Sequence, residues 1–212
     1  MQAVAKPREQ RILLSNIAWE TYERLLADHL DSSAPRFAYD RGLLEIVSPS
    51  TEHEERNRTL ASLVEVVAEE TTVDFRNVGS MTFKRRDLER GFEPDSCFYI
   101  QNEPRVSARV QIDLASDPPP DLLIEIDIAN SSLNKMPIYA EVGVPEVWRD
   151  DGERIIILLL HRGEYRSVAT SAALPILTGD VLTHFVAQSK TLKRMAWLRA
   201  WVRDQVAAGP MP

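Results

Sequence analysis

Apolar residues recur at helical spacing in several parts of the chain, and each part predicts an amphipathic helix. The predicted helices cover residues 17–31, 51–70, 135–142 and about 188–206. Ser15 and Asn16 are candidate N-caps of the first helix. Thr51 and Glu54 have the spacing of a capping box at the start of the second.

Short apolar or alternating runs between these helices predict β-strands. The predicted strands cover residues 73–77, 81–84, 96–100 and 122–128, with hairpins over 37–47 and 146–170. The polar stretch 101–120 ends in Asp117-Pro118-Pro119-Pro120 and predicts a loop. We therefore expect one α/β or α+β domain over residues 1–212, with a mixed sheet of about six to eight strands flanked by helices.

Composition limits the class of protein. The 212 residues include 25 Lys and Arg against 32 Asp and Glu, which gives a net charge of −7. This acidic balance argues against a protein that coats nucleic acid independently of sequence, but it is compatible with a local basic patch. Cys97 is the only cysteine, so we expect a reducing compartment, the cytoplasm. The apolar run 155–160 is too short to cross a membrane, and residues 1–11 show no secretion signal. One cysteine and no Gly-x-Ser-x-Gly segment argue against zinc and serine-hydrolase chemistry.

The strand 122–128 carries the most informative pattern. By the two-residue period its even positions share one apolar face, while Leu123, Glu125 and Asp127 lie on the other. Carboxylates in such a buried strand are costly unless they are paired or bind a metal. Asp95, which opens a neighbouring strand, could complete an oxygen-rich pocket for a hard cation such as Mg²⁺.

Each of these residues also has a simpler interpretation. Asp95 alone could be a strand-start residue, Glu125 could pair with an arginine, and Asp127 is better explained as a local partner. Lys135 alone could be a solvated lysine at a helix start. Beside a metal-bound water, however, a lysine can orient that water and stabilise negative charge on a phosphate.

Several segments together resemble the PD-(D/E)XK nuclease superfamily, and more specifically the Uma2 family (DUF820) of restriction-type endonucleases. The matching segments are residues 42–50 with His53-Glu54, residues 93–95, residues 120–126, and Lys135 with residues 138–149. The Tyr-Ala-x-x-Gly-Val-Pro-Glu-x-Trp segment, residues 139–148, is the most specific of them.

The resemblance implies a restriction-endonuclease-like mixed-sheet core with Mg²⁺ (or Mn²⁺) held by Asp95 and Glu125. It implies Lys135 as the catalytic lysine, and a supporting role for Glu45, His53 and Glu54. A strict Glu-x-Lys motif would place lysine at position 127, where this chain has Asp127. Lys135 can replace that lysine only if the following loop folds back over the strand end.

Two basic segments are candidates for contact with a polyanion. Lys84, Arg85 and Arg86 precede Asp95 and are proposed DNA contacts, although they could equally form a solvated loop. The C-terminal helix, about 188–206, combines basic residues with tryptophans and could instead mediate docking or dimerisation.

The favoured function is a metal-dependent endonuclease that hydrolyses DNA phosphodiester bonds, expected as a homodimer so that two sites can cut two strands. The main alternative is a non-catalytic module for nucleic acid or protein on a degenerate nuclease fold, marked by Asp127 and the displaced Lys135. A small-molecule metallohydrolase would share the metal but leaves the basic segment unexplained.

Overall fold

The computed structural model describes residues 9–30, 34–129, 133–189 and 202–203. The strands in these residues are β1 (Gln10–Leu14), β2 (Arg36–Asp40), β3 (Leu43–Ser48), β4 (Arg76–Asn77), β5 (Phe83–Arg85), β6 (Arg90–Phe92), β7 (Ser96–Tyr99), β8 (Leu122–Ile126), β9 (Glu146–Asp150), β10 (Ile155–His161) and β11 (Glu164–Val168). The α-helices are α1 (Trp19–Asp28), α2 (Thr51–Glu70), α3 (Glu103–Val106), α4 (Met136–Val142) and α5 (Gly179–Ser189). The mixed α and β architecture predicted from the sequence is confirmed.

The described strands form two sheets rather than the single predicted one. An antiparallel sheet has the order β1-β3-β2-β6-β5, and a mixed sheet has the order β11-β10-β9-β8-β7-β4, with β8 and β9 parallel. The chain passes from the antiparallel to the mixed sheet twice, through α2 between β3 and β4 and again at Glu93-Pro94 between β6 and β7. Since proline has no N–H to donate to a ladder, this step interrupts pairing and places Asp95 at the junction of the sheets.

Strand β8 is buried on both faces, as its sequence pattern indicates. Ile124 packs in a cluster with residues of α2 and α5. Leu123, on the opposite face, packs with Ile138 of α4 and Phe92 of β6. Glu125 shares the face of Leu123 and therefore points towards α4 and the antiparallel sheet.

Buried charges connect the helices and loops to β9. Arg56 of α2 donates two hydrogen bonds to Asp150, from Nε at 2.7 Å and from a terminal nitrogen at 2.5 Å. Glu146 accepts from the backbone N–H groups of Ala172 and Ala173 at 2.8 and 2.9 Å. Both carboxylates are compensated, as buried charges must be.

The starts of the first two helices differ from the prediction. Helix α1 is preceded by Ala18, which provides no side-chain cap, so Ser15 and Asn16 are not its N-caps. Helix α2 is capped by Ser50, whose Oγ accepts from the backbone N–H of His53 at 3.2 Å. The predicted capping box is wrong because Ser50, not Thr51, is the N-cap, so Glu54 is the fourth helical residue. The side chain of Glu54 instead forms an ion pair with Arg36 of β2.

Other differences concern short or distant elements. Strand β1 and helix α5 were not predicted, and a loop was expected where α3 forms. The predicted C-terminal helix, about 188–206, lies almost entirely outside the described residues. In the described ranges, no helix combines the length and apolar character needed to cross a membrane.

Gly91 of β6 packs against Tyr22 of α1. We expect Gly91→Ala to destabilise the protein by about 1–3 kcal/mol because the added methyl group overpacks the core. A Cβ at this position would lie 2.2 Å from the hydroxyl oxygen of Tyr22 and 2.8 Å from two of its ring carbons. Urea unfolding measures the effect. Tyr22→Phe should recover part of the loss in the double variant, and an unchanged unfolding midpoint for Gly91→Ala would contradict this packing.

Candidate active site

Asp95 and Glu125 are brought together by the register of β7 and β8. Ser96 is paired with Ile124 in this antiparallel ladder. The same register, continued by one residue to Asp95 just before β7, places Asp95 opposite Glu125. Directly opposed residues have Cβ atoms about 4.5–5.5 Å apart. The backbone N–H of Ile126 donates to Oδ2 of Asp95 at 2.6 Å and fixes that carboxylate against β8.

Helix α4 provides two donors to Glu125. Lys135 lies at its N-terminus, and Nζ is 2.5 Å from Oε2 of Glu125. Tyr139, one turn later, donates its hydroxyl to Oε1. Lys135 therefore lies beside the end of β8, as its expected role requires. Burial and the adjacent charge of Glu125 raise the pKa of Tyr139 well above its ordinary value, so its hydroxyl stays protonated and donates.

Asp95 has two further partners on its other oxygen. His53 Nε2 lies 2.7 Å from Oδ1, and the guanidinium of Arg36 forms an ion pair with the same atom. Arg36 also forms an ion pair with Glu54, so the start of α2 is connected to Asp95 through β2. On its other side, His53 Nδ1 lies 2.6 Å from Oε2 of Glu9. The result is a buried chain of acidic and basic groups that ends on Asp95.

The guanidinium of Arg11, on β1, compensates the negative charges of Glu9 and Glu45. It donates to Glu9 at 2.5 Å and lies 3.5 Å from Oε2 of Glu45. Burial raises the pKa of Glu9, but the hydrogen bond with His53 and the charge of Arg11 outweigh it and lower that pKa below its ordinary value. Glu45 is fully buried, and its Oε1 accepts from the backbone N–H of Leu133 at 3.0 Å.

Asp127 lies beyond the end of β8 and binds arginine. Its Oδ2 accepts from Arg149 at 2.6 Å, and its Oδ1 is 3.8 Å from Arg11. These contacts agree with its interpretation as a local partner. Position 127 therefore provides charge pairing, while Lys135 is the lysine in contact with Glu125.

The basic segment before Asp95 is paired with acidic residues. Lys84 lies 2.9 Å from Glu23, and Arg86 contacts both Glu20 and Glu23 of α1 at 2.8 and 2.9 Å. Arg85 pairs with Asp87 at 2.6 Å. Within the described residues, none of these contacts connects the segment to Asp95 or Glu125.

Two cavities meet at Arg36 and Asp95. The inner one is narrow and is also lined by Arg11, His53 and Lys135. The outer one is an open polar groove of about 710 Å³ along α2. The groove gives solvent and ligands a route to Asp95.

The two carboxylates retain capacity for a metal ion. An ionised carboxylate has about four lone-pair sites. Asp95 uses three of them, for Ile126, His53 and Arg36, and Glu125 uses two. The described residues contain no cluster of three or more His, Cys, Asp or Glu that could hold a metal. Two hard oxygen donors nevertheless fit Mg²⁺, which is usually bound by one or two carboxylates and keeps several waters.

Several site residues were missed in the sequence. Arg11 lies in β1, and Glu9 is the residue directly before that strand, which the sequence did not predict. Arg36 lies one residue before the predicted hairpin. Tyr139 was noted only as part of a motif. A signal was present for Tyr139, because it follows Lys135 at the i, i+4 spacing that places two residues on one helix face.

Comparison with known proteins identifies the family. A solved structure with a similar fold is that of a protein described as a "putative nuclease belonging to DUF820" from Anabaena variabilis, with a TM-score of 0.57, 15% identity, and coverage of 80% of this chain and 99% of that chain. No curated protein matches the chain. The family model of Uma2, described as "Putative restriction endonuclease", matches residues 19–189. The chain therefore belongs to the Uma2 family.

Proposed function

We propose that the protein is a metal-dependent endonuclease that hydrolyses phosphodiester bonds in DNA. The observation that carries the proposal is that Asp95 is hydrogen-bonded to the backbone of β8 next to Glu125, while Lys135 contacts Glu125. Membership of a family described as restriction endonucleases supports the reaction class.

In this proposal Asp95 and Glu125 are the residues that would hold Mg²⁺ or Mn²⁺. Such an ion supplies a more acidic water and neutralises charge on the phosphate. Lys135 places a positive charge beside Glu125, where it would bind the phosphate and orient the attacking water. His53 and Arg36 fix the position of Asp95, and the groove along α2 admits the substrate.

A non-catalytic module is disfavoured by the same geometry. That alternative was marked by Asp127 and the displaced Lys135. Nζ of Lys135 nevertheless lies 2.5 Å from Glu125, although the two residues are ten positions apart. Buried charges that also line an open groove, as Asp95 does, favour a reactive site over a purely structural ion pair.

Metal-stripped protein tests the reaction directly. We expect supercoiled plasmid to be nicked or linearised when Mg²⁺ or Mn²⁺ is added, and to stay intact with chelator. Single-stranded DNA and RNA of the same sequence, assayed in parallel, identify the preferred substrate. Folded protein that cuts none of these with either metal would contradict the proposal.

Reversing the charge of the basic segment tests its proposed contact with DNA. We expect Lys84→Glu with Arg86→Glu to weaken DNA binding and to reduce the slope of log affinity against log salt by about 0.9 for each phosphate that the protein no longer neutralises. Fluorescence anisotropy at several salt concentrations measures both quantities. Arg162→Glu with Arg166→Glu, on the exposed β10–β11 hairpin, is the matched control. Binding that both pairs leave unchanged would exclude the contact.

A further inference from the structure

Tyr139 belongs to the most specific sequence motif of the chain, yet the proposed reaction gives it no role. Its side chain is fully buried, and its ring packs edge-to-face on Phe92 with centroids 4.8 Å apart. A residue in this position cannot touch a substrate in the groove. Its one polar side-chain atom, the hydroxyl oxygen, donates its proton to Oε1 of Glu125.

The hydrogen bond matters because of how a glutamate side chain is built. The terminal torsion of glutamate is broad, so the carboxylate plane of Glu125 is not fixed by rotamer preference alone. Lys135 contacts one oxygen of Glu125 and Tyr139 contacts the other, from the same face of α4. Two donors on two oxygens fix the plane and leave about two lone-pair sites for a further ligand.

We propose that Tyr139 is a positioning residue that orients Glu125 for a divalent cation, an inference that rests on the proposed function. The remainder of the motif supports the same placement. Gly143, in the left-handed region with φ 83°, ends α4, and the backbone N–H of Val144 then donates to the carbonyl of Tyr139 at 3.0 Å. These contacts fix the backbone of Tyr139 at the C-terminal end of α4.

Tyr139→Phe tests the inference because it removes the hydroxyl and retains the ring. We expect the dissociation constant for Mn²⁺, measured by calorimetry on the full chain, to rise by about 10–100-fold, the usual effect of losing a partner of a metal ligand. The metal concentration for half-maximal cleavage should rise in parallel, while the KM for DNA should stay unchanged.

Tyr165→Phe is the matched control. The Tyr165 hydroxyl donates to the carbonyl of Val144 at 2.7 Å, so its loss perturbs the same end of α4 without touching Glu125. We expect the control to leave Mn²⁺ affinity unchanged, and thermal unfolding of both variants reports any loss of packing.

The outcomes separate this inference from the proposed function. If wild type and Tyr139→Phe bind Mn²⁺ equally, the positioning role is excluded and the nuclease proposal stands. If both phenylalanine variants bind Mn²⁺ equally poorly, packing explains the effect and the positioning role is again excluded. If the wild type binds no Mn²⁺, the metal site fails and the inference fails with it.

Discussion

Asp95→Asn and Glu125→Gln should each reduce DNA cleavage by about 10³-fold or more, which corresponds to about 4 kcal/mol of lost transition-state stabilisation. Each change keeps the shape of the side chain and removes the negative charge that holds the cation. In Glu125→Gln the new amide also faces two donors, Tyr139 and Lys135, and can accept from only one of them. Single-turnover cleavage of supercoiled plasmid measures the loss.

Matched variants separate this effect from general damage. Asp180→Asn and Glu164→Gln make the same chemical changes at exposed positions on α5 and β11 and should cut normally. Thermal unfolding is recorded for all four variants, since Asp95→Asn leaves Arg36 and His53 with a weaker partner. Undiminished cleavage by folded Asp95→Asn or folded Glu125→Gln would exclude that residue from catalysis.

The second large effect concerns stability. We expect Arg56→Met to reduce the free energy of unfolding by about 3–5 kcal/mol, the usual cost of removing one partner of a buried ion pair. Asp150 is 0% exposed. Without Arg56, the hydrogen-bond donor that remains to its carboxylate among the described residues is the backbone N–H of Gly152, at 2.9 Å. A single neutral donor does not compensate a buried charge. Equilibrium unfolding in urea gives the free energy.

An exposed arginine on the same helix provides the control. The side chain of Arg58 is 74% exposed and lies 3.9 Å from Glu54, so Arg58→Met should cost about 0–1 kcal/mol. Asp150→Asn added to Arg56→Met removes the uncompensated charge and should recover part of the loss. If Arg56→Met and Arg58→Met have equal stability, the buried pair is not a major support of the fold.

The parts of the fold that could be predicted depend on local patterns. The alternation of residues 122–126 is visible in the sequence because side chains on a strand point to opposite faces in turn. It correctly separated Ile124 from Leu123 and placed Glu125 on the face of Leu123. The sequence made a role for Lys135 depend on the chain folding back over the end of β8, and the contact of Lys135 with Glu125 meets that condition.

The parts that could not be predicted depend on partners distant in the chain. Pairing choices divide the strands between two sheets, and no local pattern reports which strand pairs with which. Glu9 and Arg36 reach His53 and Asp95 only because β1 and β2 occupy the antiparallel sheet beside the start of α2. Likewise, the sequence of residues 84–86 indicates a polyanion contact but does not show that Glu20 and Glu23 of α1 lie beside it.

Calorimetric titration with Mn²⁺ tests the central claim most directly, because it asks whether Asp95 and Glu125 form one metal site. We predict that metal-stripped wild type binds Mn²⁺ and that the double variant Asp95→Asn, Glu125→Gln, folded by thermal unfolding, shows no binding heat. Equal binding by the two proteins would place the metal elsewhere and contradict the proposed site.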